Sequence, residues 1–275
     1  MSTLALPPMR ALDGRWTPSA GVGSAVGNTL DIVTLNTWFS HHARDHRLRA
    51  QLTALAQLTP DIVCLQEVTD DLLARLLASP WVRETYAMVS EPHLPLASHG
   101  YGVVLLVRAD LAHTYRWTPL DSEMGRSLLC VDLGPQLAVG TVHLESMKGY
   151  GAARARQLDH CTLLLSHADT ALLLGDFNFD PRDTDAPDLD VWTDLWTVAH
   201  PHDPGYTADQ AINTMRRRPG VPPRRLRIDR AVLRDDTMRW KVGHMALFGN
   251  EPIGPNLWMS DHFGLHLTMH RAPPG

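Results

Sequence analysis

The chain has 275 residues, of which 44% are hydrophobic, so it can bury a large core as one domain or as two small ones. Its formal net charge of −5 argues against general adhesion to nucleic acid, which depends on neutralising phosphates with Lys and Arg. Every apolar run is shorter than the roughly 18–20 residues of a membrane helix, and Leu4–Leu6 is too short for a signal-peptide core.

Residues 1–27 have weak periodicity and several Gly and Pro residues, so we expect an irregular N-terminal arm there. After this arm, short apolar runs recur along the chain, and each of them indicates a buried strand. The predicted strands are Leu30–Leu35, Asp61–Leu65, Gly102–Arg108, Ser127–Leu133, Leu137–His143, Thr170–Leu174, Ile228–Leu233, Arg239–Ala246 and Phe263–Met269.

Fewer segments have the periodicity of a helix. Arg47–Leu58 carries leucines at helical spacing, Asp70 and Asp71 suit the first turn of a second helix, and Gly149–His167 is amphipathic. Strands outnumber helices, and neighbouring strands between residues 103 and 143 lack a helix between them. This pattern argues against a doubly wound parallel sheet. It predicts an α+β fold in which two mixed, mainly antiparallel sheets pack face to face with helices outside.

Domain organisation follows from the positions of the polar motifs, which run from residue 36 to residue 262. A site assembled from both ends of the chain, with no linker-like stretch in the middle, predicts a single domain over residues 28–271. Residues 272–275 are then a short tail.

The three cysteines are Cys64, Cys130 and Cys161, which are far apart and lie in apolar surroundings. This arrangement predicts buried free thiols rather than a disulfide or a metal site. With no predicted membrane segment, we expect a soluble, cytoplasmic protein that does not bind a membrane. No heptad seam is visible, and a monomer is expected.

Acidic and amide residues follow several of the predicted strands. Glu67 comes directly after an apolar run, and Asn36 and Asp261 could complete a ligand shell around a divalent cation such as Mg²⁺. Such a cation prefers oxygen ligands and retains waters, so one or two protein anions suffice. Taken alone, Glu67 is equally consistent with a carboxylate in a salt bridge at the rim of a sheet.

The segment Gly175–Asn178 follows another apolar run and has the pattern G-D-x-N. Asp176 can accept a proton from an attacking water, and Asn178 can hold that water or a phosphoryl oxygen. The same four residues alone could equally be a helix cap or an Asx-turn.

Two histidines suit the stabilisation of negative charge. His143 and His262 would contact phosphate oxygens as charge grows in a pentacovalent transition state. His262 needs an acid to orient its ring, and Asp229 is the best candidate. Together these groups describe a metal-assisted phosphoester hydrolase.

Candidate substrate-binding residues follow His143 closely. Ser146, Lys148 and Arg154 could hold a phosphate, although Arg154 lies on a predicted helix and could equally be a solvated charge. A loop over residues 216–227 contains six arginines and is a candidate grip on a nucleic-acid strand or merely an exposed loop.

Taken together, the motifs resemble the endonuclease/exonuclease/phosphatase superfamily from about residue 30 to residue 269. Within it, the chain resembles the 5′-tyrosyl-DNA phosphodiesterase branch. The narrower likeness is carried by His143–Ser146 with Gly149, Ala152, Arg154, Gln157 and Leu158, by Arg126 with Leu128–Val131, by Asp190–Trp192, by Tyr206, Thr207 and Asp209, and by Ser260–Leu265.

The resemblance implies a four-layer, DNase I-like α/β sandwich and dependence on Mg²⁺ or Mn²⁺. It implies that water attacks a phosphodiester and that a tyrosyl oxygen leaves from a DNA 5′ end, as in topoisomerase adducts, so that a 5′-phosphate remains. By position, Glu67, Asn36 and Asp261 would hold the metal. Asp176, Asn178, His143, His262 and Asp229 would be catalytic, and Ser146, Lys148, Arg154, Tyr101 and Tyr206 would line the DNA path.

The chain departs from the branch pattern at several positions. Ala208 stands where the branch carries tryptophan, and Asp180 stands where a basic residue is expected, so it would repel a strand phosphate. Lys148 replaces arginine and loses bidentate geometry, and Thr37 follows Asn36 where the branch has isoleucine. These departures leave open a metal-dependent hydrolase of unmodified nucleic acid, nucleotides or a small phosphodiester. A non-catalytic binding module is a further alternative, against which the full set of catalytic groups argues.

Overall fold

The computed structural model describes residues 2–19, 26–90, 100–111 and 114–272. Within these ranges, an eight-stranded sheet and a seven-stranded sheet form the body of the molecule, with a two-stranded ribbon beside them. The strands are β1 (Leu4–Leu6), β2 (Met9–Leu12), β3 (Arg15–Pro18), β4 (Thr29–Asn36), β5 (Ile62–Thr69), β6 (Tyr86–Ser90), β7 (Tyr101–Arg108), β8 (Tyr115–Pro119), β9 (Ser127–Asp132), β10 (Leu137–His143), β11 (Thr170–Asp176), β12 (Thr193–Asp194), β13 (Ala208–Asp209), β14 (Arg225–Leu226), β15 (Asp229–Asp235), β16 (Trp240–Phe248) and β17 (Gly264–Arg271).

The helices in these ranges are α1 (Arg44–Leu58), α2 (Asp70–Ala78), α3 (Pro80–Thr85), α4 (Gly151–Leu165) and α5 (Leu195–Ala199), with a 3₁₀ turn at Thr214–Arg216. Helix α1 ends where Thr59 adopts a left-handed conformation (φ 44°) and donates its N–H to the Leu55 carbonyl, immediately before Pro60. Pro80 occupies the first turn of α3, where its missing N–H costs nothing.

The two sheets have the orders β16-β17-β4-β5-β7-β6-β2-β3 and β1-β8-β9-β10-β11-β15-β12. A central apolar cluster joins residues of both sheets, including Ile62 and Leu105 of one and Val139 and Leu172 of the other. Separate apolar clusters pack α1 and α2 outside the first sheet and α4 outside the second. The predicted four-layer sandwich is therefore confirmed.

The prediction of an irregular arm over residues 1–27 is wrong for its described part. Strand β1 pairs with β8, while β2 pairs with β3 and β6, so the segment extends an edge of each sheet. These strands are only three or four residues long, too short to show a clear period. The missed signal was Asp13–Gly14, whose left-handed conformations (φ 45° and 78°) form the β2–β3 hairpin turn. Residues 20–25 of the arm lie outside the described residues.

The other predicted elements are present with shifted ends. For example, α1 begins at Arg44 rather than Arg47, and β16 continues to Phe248 rather than Ala246. The single domain over residues 28–271 remains a prediction, and residues 273–275 of the expected tail lie outside the described residues.

The three cysteines are free and buried, as predicted. Burial in the apolar layers raises the pKa of the Cys130 thiol to about 12, so it carries no thiolate near neutral pH. Among the described residues, no helix combines the length and apolar character needed to cross a membrane.

A buried ion cluster fixes β12 and α5 against β15. One oxygen of Asp194 accepts hydrogen bonds from the guanidinium groups of Arg227 and Arg230, and its other oxygen caps α5 by accepting the Trp196 N–H at 3.1 Å. All three charged side chains are less than 9% exposed. Two buried cations therefore depend on one carboxylate.

We predict that Asp194→Ala lowers the free energy of unfolding by about 3–5 kcal/mol, because it leaves two buried guanidinium groups without their anion. Urea unfolding followed by circular dichroism measures the loss. The control is Asp121→Ala, which breaks an ion pair with Arg156 whose partners are 69% and 60% exposed, and it should change stability by about 1 kcal/mol or less. Equal losses in the two variants would contradict the role given to Asp194.

Candidate active site

Strand register places three ionisable residues in one row at an edge of the seven-stranded sheet. Strand β10 runs parallel to β11 and pairs His143 with Asp176, while β11 runs antiparallel to β15 and pairs Asp176 with Asp229. Gly175 allows β10 and β11 to approach, because it has φ 139° and a Cβ there would lie 2.0 Å from the Val142 carbonyl oxygen. The site is therefore built on strand ends.

The eight-stranded sheet supplies Asn36 and Glu67 from parallel strands β4 and β5. Asn36 Nδ2 donates to Glu67 Oε1 at 3.1 Å and to Asp176 Oδ2 at 3.0 Å, so one amide joins carboxylates from the two sheets. Glu67 has φ 56° at a register shift in β5, and its second oxygen accepts the Phe39 N–H at 3.0 Å. The predicted convergence of Asn36, Glu67 and Asp176 is present.

The segment Ser260–His262 adds the remaining groups. Ser260 Oγ donates to the Asn36 carbonyl and accepts the His262 N–H at 3.2 Å, which ties this segment to the end of β4. His262 Nδ1 and Asp229 Oδ2 are 2.8 Å apart. Asp229 therefore lies where it orients the His262 ring, as the sequence predicts.

Burial and crowding change the acidity of the two central carboxyl groups. Burial first, and then the nearby Asp229 carboxylate, raise the pKa of Asp176 to about 7. Burial followed by the Asp261 carboxylate likewise raises the pKa of Glu67. Like charges confined to a buried space destabilise each other, so the cluster favours gain of a proton or of a cation.

The two histidines differ in charge. Burial lowers the pKa of His143 well below its ordinary value, and the cations of Arg126 and His262 act in the same direction. Burial would also lower the pKa of His262, but the carboxylates of Asp229 and Asp261 outweigh it and hold that pKa well above its ordinary value. The site therefore presents one neutral imidazole and one imidazolium.

Arg126 fixes the proton of His143. Its guanidinium donates to His143 Nδ1 at 2.9 Å, and because a guanidinium cannot accept a hydrogen bond, Nδ1 is the acceptor and the proton lies on Nε2. His143 Nε2 is 3.5 Å from Asp176 Oδ2 and 3.9 Å from Glu67 Oε1. A neutral imidazole thus directs an N–H towards the carboxylates.

The donor set of this cluster suits a divalent cation. Carboxylate oxygens of Glu67 and Asp176 lie within 4.8 Å of each other, as do those of Asp176 and Asp229, and the rings of His143 and His262 adjoin them. In the part of the chain that the structure describes, Asp229 Oδ1 is buried and has no hydrogen-bond partner. Buried carboxylate oxygens with raised pKa values and an unsatisfied oxygen are what a cation would stabilise. The residues present therefore fit a metal ion.

Asp261, the third predicted metal ligand, lies at the margin of this cluster. Its carboxylate is 3% exposed, and its Oδ2 accepts a hydrogen bond of 2.8 Å from Arg216. Asp261 belongs to neither of the two groups of closely spaced side chains. Its negative charge nevertheless helps to raise the pKa of both Glu67 and His262.

Asn178 occupies the turn after β11. It has φ 55°, its N–H donates to Asp176 Oδ1 at 2.9 Å, and its side-chain amide donates to the Leu144 carbonyl at 3.0 Å. The G-D-x-N segment is thus an Asx-type turn that also forms part of the site, so the two interpretations of this motif are compatible.

Aromatic and polar side chains flank the cluster near His143. Tyr101 is half-buried, its ring centroid lies 6.3 Å from that of His143, and it stacks on the exposed Phe39 ring at 4.8 Å with parallel planes. Lys148 is exposed, and Ser146 is half-buried with Oγ 3.0 Å from the Met124 sulfur. Both of these residues keep their predicted role as candidates for contact with a phosphate.

Arg154 is not a substrate-binding residue and not a solvated charge. It is 2% exposed, and its guanidinium donates to the carbonyls of Glu145 and Met147 and to Asp185 at 3.0–3.3 Å. The sequence prediction failed because these acceptors lie in the loop before α4 and 31 residues further along the chain. Arg154 instead fixes the backbone around Ser146.

The sequence predicts that Asp180 repels a phosphate of a bound nucleic-acid strand, but the structure shows its carboxylate buried and ion-paired. It is 1% exposed and accepts hydrogen bonds from Arg182 Nε at 2.6 Å and from the Arg227 N–H at 2.8 Å. Burial would raise its pKa, but these hydrogen bonds outweigh burial and lower it. The solvent-facing partner of this pair is the cation, Arg182, whose side chain is 60% exposed.

The arginine-rich loop 216–227 is neither uniformly exposed nor uniformly free. Arg216 bonds Asp261, Arg225 bonds Asp209 at 2.9 Å, and Arg227 is buried against Asp194. Arg217, Arg218 and Arg224 are exposed. The sequence alone could not show which of the six arginines are ion-paired and which are free to bind a ligand, because the acidic partners lie on other elements.

Sequence reasoning missed three residues that adjoin the cluster: Arg126, Arg216 and Phe39. Arg126 was noted only as part of the family likeness, although its position just before a strand that neighbours β10 is a signal for contact with His143. We find no signal in the sequence that would have paired Arg216 with Asp261 or stacked Phe39 on Tyr101.

Comparison with known proteins agrees with this geometry. Residues 33–262 match the model of the endonuclease/exonuclease/phosphatase family. The chain is 29% identical over 248 residues to tyrosyl-DNA phosphodiesterase 2 of Danio rerio, covering 82% of this chain and 62% of the relative. It is 27% identical over 270 residues to the Homo sapiens protein of that name, covering 90% of this chain and 70% of the relative.

A crystal structure of Danio rerio tyrosyl-DNA phosphodiesterase 2 with a single-stranded DNA product has the same fold, with a TM-score of 0.74 and 24% identity. That match covers 89% of this chain and all of the other. The catalytic domain of human Nocturnin is also similar, with a TM-score of 0.60, 16% identity and coverage of 89% and 94% of the two chains.

The chain spans about three fifths of the length of the Danio rerio relative, since 62% of that protein is matched. The family model, by contrast, covers most of this chain and includes every residue of the cluster from Asn36 to His262. The chain belongs to the endonuclease/exonuclease/phosphatase family.

Proposed function

We propose that the protein is a metal-dependent phosphodiesterase that hydrolyses 5′-phosphotyrosyl DNA and leaves a 5′-phosphate. The observation that carries this proposal is the convergence of Glu67, His143, Asp176, Asp229 and His262 in one buried cluster. Family membership supports the chemistry, and relatives named tyrosyl-DNA phosphodiesterase 2 support the substrate. One chain carries the whole cluster, so a monomer would suffice, and buried free cysteines suit a reducing cytoplasmic compartment.

We further propose Mg²⁺ or Mn²⁺ as the cofactor, held by Glu67 and, directly or through water, by Asn36 and Asp261. The bound ion would supply Lewis-acid stabilisation of negative charge on the phosphoryl group. Asn36 would keep the carboxylates of Glu67 and Asp176 at their observed separation, because its amide donates a hydrogen bond to each.

Asp176 would take the proton of the attacking water. Its carboxylate lies in the cluster, and a carboxylate can accept a proton from a water held beside it. Asn178, whose backbone N–H is bonded to Asp176 Oδ1, would help to hold that water in line with the phosphorus atom. The new bond joins the water oxygen to phosphorus, and the bond from phosphorus to the tyrosyl oxygen breaks.

The two histidines would stabilise the charge that grows on the phosphoryl oxygens. His143, as a neutral N–H donor, and His262, as a cation held by Asp229, offer two directed donors of different strength. The leaving phenolate needs little assistance, because the pKa of a tyrosine hydroxyl is about 10, far below that of the alcohol released from ordinary DNA.

A second candidate is a hydrolase of unmodified nucleic acid or of a small phosphodiester. Ala208 favours it, since this half-buried residue of β13 offers no ring to a substrate where the tyrosyl-DNA branch carries tryptophan. The groups of the cluster would act in the same way in this case, and only the substrate would differ.

Purified protein should release tyrosine from a 5′-tyrosyl oligonucleotide in the presence of Mg²⁺ or Mn²⁺ and leave a 3′-tyrosyl oligonucleotide intact. Gel separation of the labelled products measures both reactions, and EDTA should abolish the first. Faster cleavage of unmodified DNA or of a small diester would select the second candidate. No release from the 5′ substrate with either metal would reject the first.

Asp176→Asn should lower kcat by roughly 10²–10⁴-fold, because the amide cannot accept the proton of the attacking water. Steady-state rates on the 5′-tyrosyl oligonucleotide measure the loss. Asp132→Asn is the control, since Asp132 also ends a strand and pairs with Arg116 but lies at the opposite edge of the sheet. A rate unchanged in Asp176→Asn would remove this residue from the mechanism.

Metal binding should raise the unfolding temperature of the wild type by a few degrees, because a ligand at about 100 times its Kd adds about 2.7 kcal/mol of stability. Differential scanning calorimetry with and without Mn²⁺ measures this shift independently of turnover. Glu67→Gln should lose the shift, whereas Glu84→Gln, at an exposed site on α3, should keep it. The assignment of Glu67 fails if both variants respond to Mn²⁺ as the wild type does.

A further inference from the structure

Two arginine side chains cover one tyrosine ring beside the cluster. The guanidinium carbon of Arg182 lies 5.2 Å from the centroid of the Tyr206 ring, and that of Arg225 lies 4.6 Å from it. Arg182 also donates to the Arg225 carbonyl, and its Nη1 is 3.4 Å from the Tyr206 hydroxyl. We call Arg182, Tyr206 and Arg225 the Tyr206 platform.

Buried acids fix the orientation of both cations. Asp180 accepts from Arg182 Nε at 2.6 Å and Nη2 at 3.1 Å, and Asp209 accepts from Arg225 Nε at 3.0 Å and Nη2 at 2.9 Å. The acids are 2% and 3% exposed at their side chains, while Arg182 and Arg225 are 60% and 50% exposed. The two guanidinium groups are therefore solvent-exposed and the Tyr206 ring is half-buried, whereas the carboxylates of Asp180 and Asp209 are buried.

The platform adjoins the cluster through several elements. Asp180 lies two residues after Asn178, and Thr207 lies next to Tyr206. Thr207 Oγ1 accepts the N–H groups of Ile228 and Asp229 at 3.1 and 3.0 Å, and the Thr207 carbonyl accepts the N–H of Phe263, the neighbour of His262. Tyr206 is thus attached to the backbone that holds both members of the His262–Asp229 pair.

Exposed guanidinium groups around an aromatic ring fit a single nucleic-acid strand. Guanidinium groups bind phosphates, and aromatic rings and guanidinium planes stack on unpaired bases of any sequence. Arginines already held by acids lose little further conformational freedom when a strand binds. The chain carries a net charge of −5, yet in both ion pairs of the platform the cation is the solvent-exposed partner.

We propose that the Tyr206 platform binds a single-stranded DNA segment next to the scissile phosphate, and that Arg182 supplies the basic group that Asp180 does not. The identity of the strand as DNA rests on the proposed function. Asp180 then serves to position Arg182, and the platform offers the ring that Ala208 lacks. Arg182 is thereby a specificity-determining residue for a strand with unpaired bases.

Fluorescence anisotropy tests this proposal without turnover. The probe is a 5′-phosphorylated single strand of about ten nucleotides with a 3′ fluorophore, titrated with protein in EDTA. Arg182→Ala, Arg225→Ala and Tyr206→Leu should each raise Kd about tenfold. Each arginine variant should also reduce the slope of log Kd against log salt by about 0.7, the value for one lost phosphate contact on a single strand.

Arg108→Ala is the matched control. Arg108 is also an ion-paired arginine, 43% exposed and held by Asp61 and Asp110, but it lies at the end of β7 opposite Tyr101. Arg108→Ala should leave Kd within about twofold of wild type. Arg182→Lys, which keeps the charge but loses the planar fork, should weaken binding less than Arg182→Ala and show that lost affinity does not require misfolding. Unchanged Kd in Arg182→Ala, or an equal loss in Arg108→Ala, would overturn the proposal.

Turnover separates this proposal from the function on which it rests. With the 5′-tyrosyl oligonucleotide, Arg182→Ala should raise KM about tenfold and leave kcat within about twofold, because the platform contacts the strand rather than the reacting atoms. A protein that releases no tyrosine yet binds the strand through Arg182 would reject the proposed function and retain the platform. If the wild type releases tyrosine and Arg182→Ala has the same KM as the wild type, the proposed function is retained and the platform is rejected.

Discussion

Strand register is the constraint on which the rest of this site depends. Parallel pairing of β10 with β11 and antiparallel pairing of β11 with β15 set His143, Asp176 and Asp229 side by side. A slip of one residue in either pair would turn one of these side chains to the opposite face of the sheet. The apolar runs that precede these residues fix the register, because they must face the two apolar layers of the sandwich.

Once the register is set, electrostatics determine what the cluster can do. Burial, and then the nearness of further carboxylates, raises the pKa of both Asp176 and Glu67. Burial together with Arg126 lowers the pKa of His143 and keeps that ring neutral, whereas Asp229 raises the pKa of His262 against its burial and keeps it charged. The same arrangement that costs stability in the metal-free protein thereby provides a base, two donors and oxygen ligands in one place.

Much of this site could be predicted from the sequence, because a polar residue directly after a buried strand must lie at the edge of a sheet. Glu67, Asp176 and His143 each follow such a run, and the structure brings them together. The short N-terminal strands were missed because three or four residues carry little periodicity. The arginines could not be assigned, since the acidic partners of Arg154, Arg216 and Arg227 lie more than 30 residues away along the chain.

The charged groups around the cluster differ from one side to the other. Near His143, the stacked rings of Phe39 and Tyr101 lie beside Arg126, whereas near Asp229, Arg182 and Arg225 cover Tyr206. A phosphodiester with one aromatic arm and one nucleotide arm is itself asymmetric, and this difference between the two sides suits such a substrate.

The central claim is that the buried carboxylates converge on a divalent cation. Crystals soaked in Mn²⁺ and measured at the manganese absorption edge test it most directly, because anomalous scattering locates the ion without reference to activity. The account predicts a strong peak in the cluster, about 2.0–2.3 Å from an oxygen of Glu67, the usual metal–oxygen distance for such ions. Manganese found only at surface carboxylates, with the space between Glu67 and Asp176 empty, would contradict it.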